Sequence, residues 1–138
     1  MESLSFQQMQ VVEDQLQQIS KAIHQLQEWN AGIASADDWL LSPDGMKTLA
    51  ANCMLIEAIG EGFKKIDDRT QGWLLKHRNE IPWKQVVGMR NHIAHGYFDI
   101  NTDFVWDVIK NDLQPLADAV SFFLENLYKI LPVSQQND

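Results

Sequence analysis

Apolar residues return every three or four positions over three long stretches of this chain, and that rhythm limits its fold more than any other feature. Met9, Val12, Leu16, Ile19, Ile23 and Leu26 make the first seam, with Gln, Glu, Asp and Lys between them. The spacing predicts an amphipathic helix from about Leu4 to Trp29, capped by Ser3 or Ser5. Ser42-Pro43-Asp44 opens the second stretch with a capping hydroxyl, a proline suited to a first turn and an acid at the positive end of the helix dipole. Met46, Leu49, Cys53, Ile56, Gly60 and Phe63 carry that helix to about Asp67. The third seam is Trp106, Ile109, Leu113, Leu116, Val120, Phe123, Leu127 and Ile130. Pro115 lies inside it, and its ring must clash with the Asn111 carbonyl, which predicts a kink or a break into two helices. Pro132 ends the element, and the tail from Val133 to Asp138 is expected to fray. A short helical turn fits Asp37 to Leu41, and Asp99 to Asp103 supply turn and capping residues for the last helix. Nothing reads as a strand, a repeat or a low-complexity tract. The expected architecture is all-α, an up-down helical bundle with a short fourth helix, forming a single domain over residues 1–138.

Composition agrees with one core and leaves too little chain for two, at 138 residues of which 45% are hydrophobic. No apolar run approaches the roughly 18 residues of a membrane span, and Met1 to Ser5 lack a basic-then-apolar leader pattern, so a soluble, cytoplasmic protein without a membrane role is expected. The one cysteine, Cys53, has no internal partner and reads as a small core residue. Val11, Leu55, Ile59, Val105, Phe122 and Leu124 flank the seams, a surplus that suits a dimer interface. The net charge of −8 speaks against phosphate binding, but its distribution is uneven. Between Lys64 and Tyr97, seven basic side chains face three acidic ones, a local charge of +4 that leaves −12 for the remainder. An acidic shell around one basic segment fits an RNA site, a docking face for a basic partner, or an ordinary solvated loop. Residues 69–80 show no period and read as a basic loop with at most one helical turn.

Two features of the second helix point towards a site. Glycine inside a helical seam costs about 1 kcal/mol relative to alanine, so Gly60 implies a close approach by another backbone or side chain. Glu57 and Glu61, four apart, share the helix face beside that gap; either they are simply solvated, or Glu61 faces Arg90 and orients a cation there.

The chemistry-bearing stretch is Ile81 to Ile100, where Arg90, Asn91, His92, His95 and Tyr97 fall within eight residues. Pro82 suits the first turn and Gly96 a left-handed cap, which predicts one helix from about Trp83 to His95. On such a helix Arg90 and His95 point about 140° apart, whereas Asn91 and His95 share a face. For one phosphate to meet both Arg90 and His95, either the helix ends early and His95 swings back, or the two groups come from symmetry-related chains. Arg90 offers a planar fork for phosphate oxygens, and a histidine at a helix C-terminus has its charged form favoured, as a proton donor requires. His92 has no assigned role and reads as a packing residue; Trp83 and Trp106 read as core residues, and His77 as an exposed loop residue.

The run Ile81-Pro82-Trp83, Gly88-Met89-Arg90-Asn91, His95-Gly96-Tyr97-Phe98-Asp99-Ile100 and Val105-Trp106, with Ile59-Gly60-Glu61 upstream, resembles the HepT-like toxins of the HEPN superfamily. The likeness extends from about Gly45 to Leu116. It implies a helical homodimer whose two copies of Arg90 and His95 line a shared cleft. It also implies a metal-independent endoribonuclease that uses the RNA 2′-hydroxyl as nucleophile and needs no cofactor. In that likeness His95 is the general acid/base, Arg90 stabilises the phosphorane and Asn91 positions the phosphate. The implied partner is an MntA-type nucleotidyltransferase antitoxin that moves AMP from ATP to Tyr97. A non-catalytic helical module that binds a nucleotide or that partner is the other reading of the same residues.

Overall fold

The polypeptide, seen as a computed structural model that describes residues 1–134, follows the expected rhythm with two local departures. Helix α1 spans Phe6–Trp29, a 3₁₀ turn Ala36–Leu41, and α2 Pro43–Arg69. A second 3₁₀ turn, Leu75–Arg78, is followed by the short helices α3, Trp83–Val87, and α4, Arg90–Ile93. Helix α5, Thr102–Asp107, passes through a π segment, Val108–Asp112, into α6, Leu113–Ile130. No strand longer than an isolated bridge occurs among the described residues. Helix α1 packs against both α2 and α6, while α3 and α4 lie across α2.

The helix starts follow from capping. Ser5 accepts the Gln8 amide while the Gln8 side chain accepts the Ser5 amide, a reciprocal box that satisfies two amide groups at that end. Ser42 Oγ accepts the Gly45 amide at 3.0 Å and Pro43 follows it in the first turn. All six residues of the first seam are buried. In α2 the buried face takes Asn52 in place of Cys53, which is only partly covered. Asn52 is held in a polar clamp: its amide donates to Asn30 Oδ1 at 3.1 Å, and Asn30 donates back to Asn52 Oδ1 at 2.8 Å. The buried Trp39 indole also donates to Asn30 Oδ1, at 3.0 Å. A buried amide is tolerated because its partners are supplied. Burial and the neighbouring Glu57 carboxylate push the Cys53 thiol up to about 11. Near pH 8 its alkylation by iodoacetamide is therefore expected to be about a hundredfold slower in the folded chain than in urea; equal rates would show the site is open.

The first departure lies at Pro115. The break expected there takes the form of the π segment, in which the Leu113 amide reaches back five residues to the Val108 carbonyl. The extra residue resets the phase of the seam: before it, Val105 and Val108 are buried while Trp106 and Ile109 are half-covered, and after it Leu113, Leu116, Val120, Phe123 and Leu127 are inside as expected, with Ile130 partly covered. Two of the flanking residues expected to supply a dimer surface, Ile59 and Val105, belong instead to the core of the chain itself. Val133 and Ser134 are not frayed: the Leu4 amide donates to Pro132 O at 2.8 Å and the Ser134 amide to Leu4 O at 2.7 Å. Residues 135–138 of the expected tail lie outside the described residues.

The second departure is the motif helix itself. It is not continuous from Trp83 to His95 but stops at Val87, resumes at Arg90 and ends at Ile93, after which Ala94 is fully extended. Gly60 is where this segment comes closest to α2: a Cβ there would sit 3.0 Å from the Val86 carbonyl oxygen. Phe63 packs one turn on against Trp83, with ring centres 4.9 Å apart, and Trp83 meets Phe123 at 6.0 Å. The Trp83 indole N–H is shared between the Leu75 and Arg78 carbonyls at 2.9 and 3.0 Å. These contacts seat α3, and therefore everything after it.

Candidate functional site

Val86, Met89 and Ile93 hold the motif segment to the core at three-four spacing, even across the break at Gly88. The residues between them must face outward, and Arg90, Asn91 and His92 are exposed. The helix ends because a competing donor takes its last carbonyl. The Asn101 amide bonds Ile93 O at 2.8 Å, an acceptor that a longer helix would give to Tyr97. Between these two residues the chain makes a closed turn. Ala94 and Ile100 form an antiparallel bridge, the His95 amide donates to Asp99 O at 3.1 Å, and the Asp99 amide donates to Gly96 O at 3.1 Å. Gly96 adopts φ +125°, a region that a Cβ would strain, so its glycine opens the turn and is not the helix cap expected of it.

His95 therefore leaves the helix before the 140° constraint applies. The helix does end early, which meets the first half of one of the two alternatives. His95 and Tyr97 are exposed on the turn, and Arg90 and Asn91 on the short helix that precedes it. Among the described residues no hydrogen bond or ion pair joins Arg90 to His95. The Arg90 partner is Glu61, whose Oε1 lies 3.8 Å from Nη1, with side-chain exposures of 44% and 66% respectively. Such an open pair contributes little to stability, but it gives the guanidinium a resting direction. No group of three or more His, Cys, Asp or Glu among the described residues is arranged to hold a metal ion.

His92 turns to the other side. Its ring lies 5.6 Å from Phe104 and lines a cavity of about 770 Å³ between α3 and the α5–α6 region. That cavity has an apolar floor that includes Val86, Met89 and Leu116 and a rim with Asp107, Asp112 and Asp118; it includes none of Arg90, Asn91, His95 or Tyr97. Burial, then the nearby Asp107 carboxylate, raise the Asp112 carboxyl above its usual range. The basic loop is ordered by its aromatics: the Lys76 ammonium lies 3.3 Å from the Trp73 ring centre, and the Arg78 guanidinium 5.1 Å from that of Phe122. Arg78 also pairs with Glu80 and, chiefly through that hydrogen bond, holds its carboxyl below the usual range. His77 is exposed, as expected, with Nδ1 2.8 Å from Trp73 O.

A profile described as ribonuclease HepT-like matches residues 19–122, which takes in every element from mid-α1 to α6 and the whole motif segment. The chain belongs to the HepT-like ribonuclease family. Among its relatives is a protein of Thermococcus cleftensis named "Probable ribonuclease HepT", 30% identical over 75% of this chain and 86% of that one. A protein of Caldanaerobacter subterraneus subsp. tengcongensis named "Putative RNase" is 31% identical over 51% of this chain and 59% of its own. A Methanocaldococcus jannaschii protein of the same designation is 34% identical over 47% and 56% respectively. No solved structure matches the chain significantly. HepT-like membership covers the all-α fold and the motif, but the match begins at Ile19, so the first part of α1 stands on its own physical reading. One feature that the sequence reading passed over is Phe98, which is 99% exposed beside Tyr97. A fully solvated phenylalanine in an ordered turn is visible only once the turn is.

Proposed function

We propose that this HepT-like chain is the toxin of a toxin–antitoxin pair, a homodimeric endoribonuclease of the cytoplasm that needs no metal and is silenced by adenylylation of Tyr97. The observation that supports it is the joint exposure of Arg90, Asn91, His95 and Tyr97 where α4 gives way to the turn, with Glu61 beside the guanidinium. In the reaction the RNA 2′-hydroxyl oxygen bonds to the adjacent phosphorus, and the bond from phosphorus to the 5′-oxygen breaks. The products are a cyclic phosphate and a free 5′-hydroxyl, and no water is consumed. His95 carries the proton, taking it from the 2′-hydroxyl as a base or giving it to the departing 5′-oxygen as an acid. Arg90 holds the phosphate oxygens in its fork as charge builds on them, and the Asn91 amide donates a further hydrogen bond. Glu61 keeps the Arg90 fork aimed before RNA arrives. Two copies of the chain facing one another supply both sets of groups to one cleft.

An MntA-type nucleotidyltransferase antitoxin supplies the control. It transfers AMP from ATP to the Tyr97 hydroxyl and releases pyrophosphate, and the added negative charge at the cleft repels RNA. The chain itself uses no cofactor. A second reading, a non-catalytic module that binds a nucleotide or a partner, is favoured by the net charge of −8 and by a large cavity that excludes the motif.

End-group analysis separates the two. Purified, unmodified chain incubated with RNA in excess chelator is expected to leave fragments whose 5′ ends accept phosphate from a kinase without prior phosphatase treatment. Intact RNA would remove the nuclease reading, and fragments ending in 5′-phosphate would remove the 2′-hydroxyl mechanism. Co-expression with the antitoxin is expected to add the mass of one or more adenylyl groups at Tyr97 and to abolish those fragments.

A further inference from the structure

We infer that Phe98 is a nucleobase-stacking residue that restricts cleavage to unpaired RNA; this rests on the nuclease reading and assigns its substrate class. Tyr97 and Phe98 occupy the two corners of the turn that the Asp99 amide closes onto Gly96 O at 3.1 Å. Corner residues project away from the chain, and Phe98 is 99% exposed while Tyr97 is 55% exposed. This exposure is not that of a loose loop, because the Ala94–Ile100 bridge and the bond from the His95 amide to Asp99 O lock the turn at its base. The two rings meet edge to face, with centres 5.2 Å apart at 87°, so each braces the other's orientation.

Position gives the ring its use. Three peptide units separate Phe98 from His95, so their Cα atoms lie at most about 11 Å apart, and the turn makes that less. A base attached to a nucleotide at or beside the scissile phosphate is within that reach. From Gly96 to Asp103 the sequence carries no lysine or arginine, and its charged side chains, Asp99 and Asp103, are acidic and repel phosphate. Arg90 therefore takes the backbone and the aromatic tip takes a base, the division of labour seen wherever single strands are held by stacking. A base in a duplex is stacked on its neighbours and has no free face to offer, so the contact selects unpaired nucleotides. An aromatic side chain offers roughly 150–250 Å², enough to cover a base.

The test uses the full chain and a short, fully 2′-O-methylated single strand of mixed sequence bearing 2-aminopurine. It cannot be cleaved, so binding is read independently of catalysis. Wild type is expected to quench the probe and to bind the strand in preference to its duplex. Phe98→Ala and Phe98→Leu are expected to lose the quenching and bind about tenfold more weakly, and Phe98→Trp to retain both. On cleavable RNA, Phe98→Ala is expected to raise KM by a similar factor with kcat largely kept. Quenching and affinity unchanged in Phe98→Ala, with Arg90→Ala still inactive, would overturn the stacking role and leave the nuclease standing. Quenching by a wild type that cleaves nothing would do the opposite. A dimer that falls to monomer in Phe98→Ala, read by sedimentation, would assign the ring to a second copy of the chain and also overturn the proposal.

Discussion

His95→Ala is expected to slow RNA cleavage by about 10²–10⁴-fold, the range that a positioned general acid or base contributes. The loss should appear in kcat at saturating RNA, because an exposed imidazole on the turn adds little to binding. Folding should be untouched: His95 is exposed, and the contacts that close the turn come from its main-chain amide, which alanine keeps. Circular dichroism and the urea midpoint therefore serve as controls. Arg90→Lys belongs in the same experiment, since an ammonium cannot reproduce the guanidinium fork. Single-turnover cleavage followed on gels decides the matter, and a His95→Ala chain that cuts at the wild-type rate would remove the imidazole from the mechanism.

Phe63→Ala is expected to cost about 3–5 kcal/mol of stability, the range found when a fully buried aromatic is truncated. Phe63 is fully buried in α2 and its ring centre is 4.9 Å from that of Trp83, which in turn contacts Phe123. The cavity left behind lies beneath α3, so the motif segment should loosen before the α1–α2–α6 bundle does. Urea unfolding should show a lower midpoint with an unchanged slope, and hydrogen exchange should be fastest through residues 83–93. Phe63→Leu, which keeps most of the volume, should cost under about 1.5 kcal/mol. A loss below about 1 kcal/mol in Phe63→Ala would mean that α3 is held by Trp83's shared hydrogen bonds and not by ring packing.

Much of this was legible from residue spacing. The six-residue seam of α1, the Ser42-Pro43 start of α2 and the break near Pro115 each follow from local rules that act within a few residues. Gly60 announced a close neighbour, and the Val86 carbonyl is that neighbour. Glu61 does lie 3.8 Å from Arg90, and both side chains stay solvated, so its two readings are compatible with one another. What spacing could not give was the early end of the motif helix. That end depends on the Asn101 amide, eight residues further on, capturing the Ile93 carbonyl, which is a tertiary competition invisible in the periodicity. For the same reason His95 stood on a helix in the sequence reading and stands on a turn in the structure. The spacing places Cys53 in the buried seam, but Asn52 takes that place because Asn30 satisfies its amide, with the Trp39 indole in turn bonded to Asn30.

The five-residue reach from Leu113 to Val108 behaves as a timing offset between the two parts of the last helix. Cutting one residue from Val108–Asp112 would let the ordinary ladder run through, and α5 would swing by about 100° while retracting about 1.5 Å along its axis. Because Asn101, at the head of α5, clamps the end of α4, that swing would be transmitted to the loop bearing His95. The bearing of the imidazole is thus indexed by one supernumerary residue in a remote element, and a length change there would detune the motif without altering a single one of its side chains.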